Sequence, residues 1–326
     1  MDKLLIIVGP TATGKTSLGL HVAQKCSAEL VSADSRQVYK GMDIGTGKDI
    51  PSNLKSQISN LKFRGRRISF YGNSAKIWGY DLVEPDDEFS VAHFRQIARA
   101  VIHDIWKRKK LPIVVGGTGL YVKVLTQPMA RIHIPPNKKL RGKLETQSIQ
   151  ALQNRLKKLN PSHFRQMNQS DRKNPRRLVR AIEISMYQKT HLAKSHGSQK
   201  LSLSEASTLW IGLKAPRQAL YKRIDERVDE RLRLGAQDEV RTLLKKGYGF
   251  NLPAMSAMGY IQWKPYVEGK TSRQRVIRRW KLDEHAYARR QLTWFKKNQK
   301  ISWYDITEPG FTKNVVRTVL QWYSEP

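Results

Sequence analysis

The chain has little that would brace it covalently or anchor it. Cys26 is the only cysteine among 326 residues, which excludes a disulfide framework and any zinc site built on several cysteines. No apolar run approaches the ~18 residues of a membrane-spanning helix. Leu4-Leu5-Ile6-Ile7-Val8, stopped by Gly9-Pro10, is too short for the core of a secretory signal. Repeats and low-complexity linkers are missing as well. Acid is scarce: 27 Asp and Glu stand against 60 Lys and Arg, a formal net charge of +33. So basic a protein repels itself, and its commonest counterpart is nucleic acid. These absences predict a soluble protein of the cytoplasm, with a polyanionic partner and no membrane.

The patterning is that of an α/β protein. Leu4–Val8, Leu30-Val31 and Leu111–Val115 are short, wholly apolar runs, as expected of strands buried on both faces. Ser90 precedes Val91, Phe94, Ile97, Ala98, Val101, Ile102 and Ile105, the spacing of a serine-capped amphipathic helix. The alternation predicts a mostly parallel sheet flanked by helices, and the Gly9–Thr16 motif, taken up below, makes it one of the P-loop NTPase type. Residues 52–80 show no period and read as a surface insertion. Between 131 and 200, seventeen Lys and Arg face three acids, Glu145, Asp171 and Glu183, while Leu140, Leu144, Leu152, Leu156 and Leu159 recur at helical spacings. A basic helical insertion over 128–200 is expected, dividing a core made of 1–127 and 201–326. In the second part, Thr208–Leu213 reads as a strand and Pro216 suits the first turn of a helix. A long helix from about Gln274 to Lys297 then leads to a last strand at Ile301–Tyr304.

One motif carries chemistry outright. Gly9-Pro10-Thr11-Ala12-Thr13-Gly14-Lys15-Thr16 matches G-x-x-x-x-G-K-[ST], a loop whose amides turn inward around phosphate oxygens at a helix N-terminus. Lys15 would bind the terminal phosphate and the Thr16 hydroxyl would ligate Mg²⁺. The third apolar run ends in Gly116-Gly117-Thr118-Gly119 and not in the aspartate of a motor or switch ATPase. The carboxylate comes instead from Asp34, after the second run, where strand ends line the crevice of an open sheet. An acid there can ligate metal through water, accept a proton from an acceptor, or simply cap the next segment.

These residues resemble a known family. Gly9–Thr16, the run Asp34-Ser35-Arg36-Gln37-Val38-Tyr39-Lys40-Gly41-Met42-Asp43-Ile44-Gly45-Thr46, and Gly116–Tyr121 are similar to the tRNA dimethylallyltransferases. So are Pro175–Glu183, Arg227-Val228-Asp229 with Gly235, Glu239 and Val240, then Met258-Gly259-Tyr260, and Arg289–Trp294. The likeness extends to about Asp305. It implies transfer of a dimethylallyl group from its diphosphate to N6 of the adenosine 3′ of the anticodon, position 37, by a monomer using Mg²⁺. Asp34 would then be the base, with Lys15 and either Arg217 or Arg223 on the pyrophosphate. Thr11 and Thr13 would line the diphosphate pocket. Contacts to the tRNA anticodon stem-loop would come from Asp34, Ser35, Arg36, Gln37, Thr118, Arg141, Arg176, Arg177, Arg180, Gly259, Tyr260, Arg289, Arg290, Gln291 and Trp294.

The chain departs from that pattern in places. Gly47 stands where Ala is usual, Gly79-Tyr80 replaces a His-His pair, and the stretch from Gly45 to Glu84 is long. Ser256 and Ile261 replace arginines, and Glu284-His285-Ala286 replaces Thr-Arg-Gln. Two other enzymes would share the P-loop: a prenyltransferase acting on free adenine nucleotides, and a small-molecule kinase. The basic insertion speaks against the first and the Asp34–Thr46 run against the second.

Overall fold

Five consecutive apolar residues place the first strand at the centre of a sheet, with Leu4 to Val8 all fully buried. The computed structural model describes residues 1–48, 50–51, 54–72, 75–129, 131–190, 203 and 206–325. They fall into two units, Met1–Gln127 with Leu203–Pro326, and Pro128–Ser202. The expected boundary after residue 200, and the preceding residues from 191, lie outside the described residues.

The first unit is built on eight strands: β1 (Lys3–Val8), β2 (Ala28–Ser32), β3 (Ser56–Phe63), β4 (Arg66–Tyr71), β5 (Ile77–Trp78), β6 (Leu111–Gly116), β7 (Ser207–Lys214) and β8 (Ser302–Asp305). Their order is β3-β4-β5-β2-β6-β1-β7-β8. From β5 to β8 all pairs are parallel. Side chains alternate between faces. Leu5 and Ile7, with Ile113, Val115, Ile211 and Leu213, pack with Leu18 and Val22 of the helix Lys15–Lys25 and Val315 and Val319 of the helix Phe311–Ser324. The helix Val91–Lys107 packs on β2 and β6, burying Phe94, Ile97, Val101, Ile102 and Ile105. Its Ser90 cap accepts the His93 amide at 3.3 Å, as the spacing predicts.

Two elements differ from expectation. The stretch read as a patternless insertion contains the antiparallel hairpin β3–β4 and the short β5 that joins it to the sheet. Most of β3 is exposed, so its edge position leaves no apolar alternation to read. The second is the helix Phe311–Ser324, which no expectation covered. No helix among the described residues is long and apolar enough to cross a membrane.

The second unit is helical: Lys138–Glu145, Ile149–Leu159, Pro161–Gln166, Gln169–Arg172 and Pro175–Thr190. Asn137, Ser148, Asn160 and Asn168 cap the first four with side-chain oxygens. Leu144, Leu152, Leu156, Leu178 and Ile182 are fully buried together, with Leu140 and Leu159 packed at the margin. The helical leucine spacing is thus a core of its own.

Candidate active site

β1 runs directly into the phosphate-loop motif. Ala12 and Gly14 take left-handed backbone angles, φ 62° and 77°, and such reversals aim successive amides at one point. The helix Lys15–Lys25 starts with no side-chain cap, leaving its first-turn amides and positive end for an anion. Lys15 Nζ donates to the Pro10 carbonyl at 2.6 Å. Thr13 is buried and its hydroxyl donates to the same carbonyl at 2.9 Å. With Gly9 and Pro10 it braces the loop from within, so these three do not line the pocket. Thr11, Ala12, Gly14, Lys15 and Thr16 do.

The pocket is a cleft of about 1440 Å³, lined by the residues that follow β1, β2 and β6. Asp34 sits just beyond β2, its Oδ1 accepting the Arg36 amide at 2.8 Å. Burial pushes the Asp34 carboxyl above its usual range, against the Arg36 amide bond and the charges of Lys15 and Arg36. Ser35 donates its amide to the Thr118 hydroxyl at 3.2 Å, joining the ends of β2 and β6. Gln37 is spent internally, accepting from Ser32 and donating to the Gly47 carbonyl, both at 2.9 Å.

The helix Arg217–Arg233 forms a further wall. Arg223, Arg227 and Arg231 recur every four residues, hence on one face, and all three line the cleft. Arg223 Nε donates to the Ala12 carbonyl at 3.0 Å. Arg227 donates to the Thr11 hydroxyl at 3.2 Å and to the Gly47 carbonyl at 3.3 Å. Between the two sequence candidates the structure brings Arg223 to the phosphate loop. Arg217 lies over the Tyr221 ring, 5.2 Å from its centroid, and does not line the cleft. In the sequence Arg227 stands only within the Arg227-Val228-Asp229 run, although its spacing from Arg223 puts both on one helix face.

The Asp43–Gly47 loop hangs from one carboxylate. Glu239 accepts the amides of Asp43, Ile44 and Gly45 at 2.8, 2.8 and 2.9 Å. Tyr260 is fully buried and donates its hydroxyl to Glu239, and Gly259 is buried against Gly45. Neither lines the cleft, whereas the resemblance had them facing RNA. Gln291 is buried at the wall of the cleft, where it accepts the Thr11 amide at 2.9 Å and donates to the Gly117 carbonyl at 3.1 Å, tying two loops together. From the same helix, Arg273–Phe295, Tyr287, Arg290 and Trp294 line the cleft. Trp294 stays 42% exposed, available to a flat ring. Arg289 donates to the Tyr221 hydroxyl at 2.5 Å. Arg36 donates to the Pro253 carbonyl at 3.0 Å and the Ser256 hydroxyl at 3.3 Å.

In the second unit the arginines divide by partner. Arg141 and Arg180 both bind the buried Glu183, whose carboxyl is held below its usual range: burial opposes this, and the two arginines with the Asn137 amide outweigh it. Those two are braces of the helical core. Arg177 pairs with Asp171, and Arg176 is exposed.

A mostly parallel sheet with a phosphate loop after β1, a carboxylate after β2, one strand removed across β6, and an arginine-lined helix at the same cleft defines a P-loop enzyme that handles a phosphorylated substrate. A family model described as IPP transferase matches residues 37–298, and one described as isopentenyl transferase matches residues 2–67. The chain is 38% identical to a tRNA dimethylallyltransferase of Roseiflexus castenholzii, over 99% of both chains. It is 37% identical to that of Geobacillus thermodenitrificans, covering 94% of this chain and 92% of the other. Among solved structures, the full-length tRNA isopentenylpyrophosphate transferase of Bacillus halodurans superposes with a TM-score of 0.66 at 32% identity, covering 99% and 96% of the two chains. A eukaryotic dimethylallyltransferase acting on tRNA gives 0.73 at 25% identity, over 98% of this chain and 78% of the other. This chain belongs to the IPP transferase family, that of the tRNA dimethylallyltransferases.

Proposed function

We propose that this protein is a tRNA dimethylallyltransferase that moves the dimethylallyl group of dimethylallyl diphosphate onto N6 of the adenosine at tRNA position 37. The reading rests above all on one observation: the half-buried carboxylate of Asp34 shares a cleft with an anion-binding loop. The amides of Ala12 to Thr16, with Lys15, Arg223 and Arg227, hold the diphosphate. Their charge is aimed where negative charge grows as the C1–O bond breaks and pyrophosphate leaves. The adenine N6 lone pair forms the new bond to C1. Asp34 takes the N6 proton, which makes a poorly nucleophilic amine competent.

Mg²⁺ suits the oxygen donors present. Thr16 lines the cleft beside the loop, and no cluster of three or more His, Cys, Asp or Glu among the described residues would cage a metal without substrate phosphates. When bound, the ion would be held by Thr16 and would neutralise charge on the diphosphate.

The target base must leave its stack to reach such a cleft, and Trp294 offers it a flat partner. Arg36, Arg289 and Arg290, with Arg176 and Arg177 of the basic unit, take the stem-loop backbone. The basic surface and the tRNA acceptor suit a protein of the cytoplasm, and we read it as acting as a monomer. The test is to incubate bulk tRNA lacking the modification with labelled dimethylallyl diphosphate and digest it to nucleosides. Label in N6-dimethylallyladenosine at position 37 is expected. Label appearing only in added free adenine nucleotides would overturn the assignment.

A further inference from the structure

The hairpin β3–β4 lies in the stretch where this chain runs longer than the pattern it resembles, and its charge is one-sided. Residues 50–80 hold six Lys and Arg and no acid. The hairpin is well anchored: Phe63, Ile68 and Phe70 are buried, and the Phe63 ring lies 6.5 Å from that of Phe89 and 5.6 Å from that of His93. Three of the six cations are occupied. Lys76 Nζ lies over the Phe70 ring at 4.3 Å, Arg66 pairs with Asp87 at 3.3 Å, and Arg64 donates to His93 at 2.7 Å. Lys62 and Arg67 face each other directly across the two strands, and both are exposed. Among the described residues neither has an ion pair or a side-chain hydrogen bond. Like charges so placed repel.

Strand register fixes where this pair stands. Val31 of β2, Trp78 of β5 and Phe70 of β4 share one rung. Asp34 comes three residues beyond that rung, and Arg67 three residues beyond it in the same direction, because β4 runs antiparallel to β5. At ~4.8 Å per strand, β4 lies about 10 Å and β3 about 14 Å to the side of β2. The tip of the hairpin is therefore at the end of the sheet where the cleft opens, and Ile77 and Tyr80, at the end of β5, line that cleft. We propose that Lys62 and Arg67 form a further contact for the phosphate backbone of the tRNA, beside the cleft that takes the target base. The proposal rests on tRNA being the acceptor. RNA phosphates there would relieve the repulsion across the strands, in continuity with the cleft itself. A second role for such charges needs no RNA: β3 is the edge of the sheet, and lysine on an edge keeps two edges from pairing.

The test compares Lys62→Ala with Arg67→Ala in one full-length variant against Lys55→Ala, which removes an exposed charge from the opposite end of the same hairpin. Filter binding of unmodified tRNA is followed across a salt series. The double variant should bind about tenfold more weakly near 0.15 M salt, with a log–log slope shallower by about 1.4 to 1.8. Lys55→Ala should stay within about twofold of the parent. The melting temperature of the double variant should not fall, since a repulsive pair is gone, and KM for dimethylallyl diphosphate should hold. A double variant with the parent's slope overturns the proposal, and self-association of that variant in sedimentation would assign the pair to guarding the edge. An equal loss in Lys55→Ala also overturns it, because a diffuse field and not a contact would then be at work. A parent protein that neither binds nor modifies tRNA overturns the acceptor reading, and this inference with it.

Discussion

Arg227 Nη1 stands 3.2 Å from Thr11 Oγ1, so a helix more than 200 residues further along the chain closes over the phosphate loop. Its Nη2 reaches the Gly47 carbonyl at 3.3 Å, which makes this side chain a bridge between the loops that follow β1 and β2. Bidentate reach is a property of guanidinium and not of ammonium. Arg227→Lys should therefore lose nearly as much as Arg227→Ala, about 10- to 100-fold in kcat/KM for dimethylallyl diphosphate, the scale of one or two charged hydrogen bonds. Arg217→Ala, outside the cleft, should stay within about threefold of the parent. Steady-state kinetics on the three variants checks this, and the reverse order would return the role to Arg217.

Lys15→Ala should abolish turnover and strongly weaken donor binding while tRNA binding survives. The side chain lies within the anion loop, its Nζ on the Pro10 carbonyl, and belongs to the first unit and not to the basic one. Calorimetric titration with donor and filter binding with tRNA separate the two effects. Near-normal activity would remove the phosphate-loop assignment.

Asp34→Asn should fold and bind both substrates but slow the chemical step by at least ~100-fold, since asparagine keeps the shape and cannot accept the proton. Rapid-quench single turnovers are the measurement. A loss confined to donor affinity would mean that Asp34 serves the diphosphate and that the base lies elsewhere.

How far the sequence led depended on where each signal was stored. Runs buried on both faces gave the strands of the parallel core, and the motif gave the loop at its centre. The edge hairpin escaped because β3 is mostly exposed and largely polar, so no alternation marks it. Within the site, single residues were legible as chemistry but not as geometry. Thr13 and Gln291 look like ligand-facing polar groups in the sequence, yet each is buried and satisfied by backbone atoms. Glu239 fell in a recognisable string, but only the fold shows its carboxylate holding three amides nearly 200 residues away. Such pairings are long-range, and no local pattern encodes them.

Acid should weaken the fold through Glu29, although this carboxylate gives way only at low pH. It sits in β2 with no exposed side-chain surface, and burial alone would raise its carboxyl. Hydrogen bonds from Arg108, Trp78 at 2.9 Å and Lys110 at 3.0 Å overturn that and hold it down at about 2. Because the folded value lies below the unfolded one, the stabilisation is whole above pH ~4.5 and drains away as pH falls toward 2, about 3 kcal/mol in all. Glu29→Gln should lower stability at pH 7 by about 3 to 5 kcal/mol, the usual cost of breaking a buried pair. It should also flatten the fall in stability between those pH values. Urea denaturation across the range reads both, and an unchanged slope would show that Glu29 is not the group concerned.

The basic unit should separate phosphate contacts from structural braces. Arg176 is exposed, and Arg177, itself exposed, pairs with the partly exposed Asp171. Arg180 is different: it binds the buried Glu183 and donates to the Ile134 carbonyl at 2.8 Å. If the first two neutralise RNA phosphates, each releases counterions on binding. Arg176→Ala with Arg177→Ala should then weaken tRNA binding and make its log–log salt dependence shallower by about 1.4 to 1.8, without altering the melting temperature much. Arg180→Ala should instead lower the melting temperature, because it leaves a buried carboxylate short of a partner. Donor affinity should hold in all of them, since those contacts lie in the other unit. Salt titrations of tRNA binding beside thermal melts decide the matter. A double variant with an unchanged slope would mean that the stem-loop is held by other basic residues.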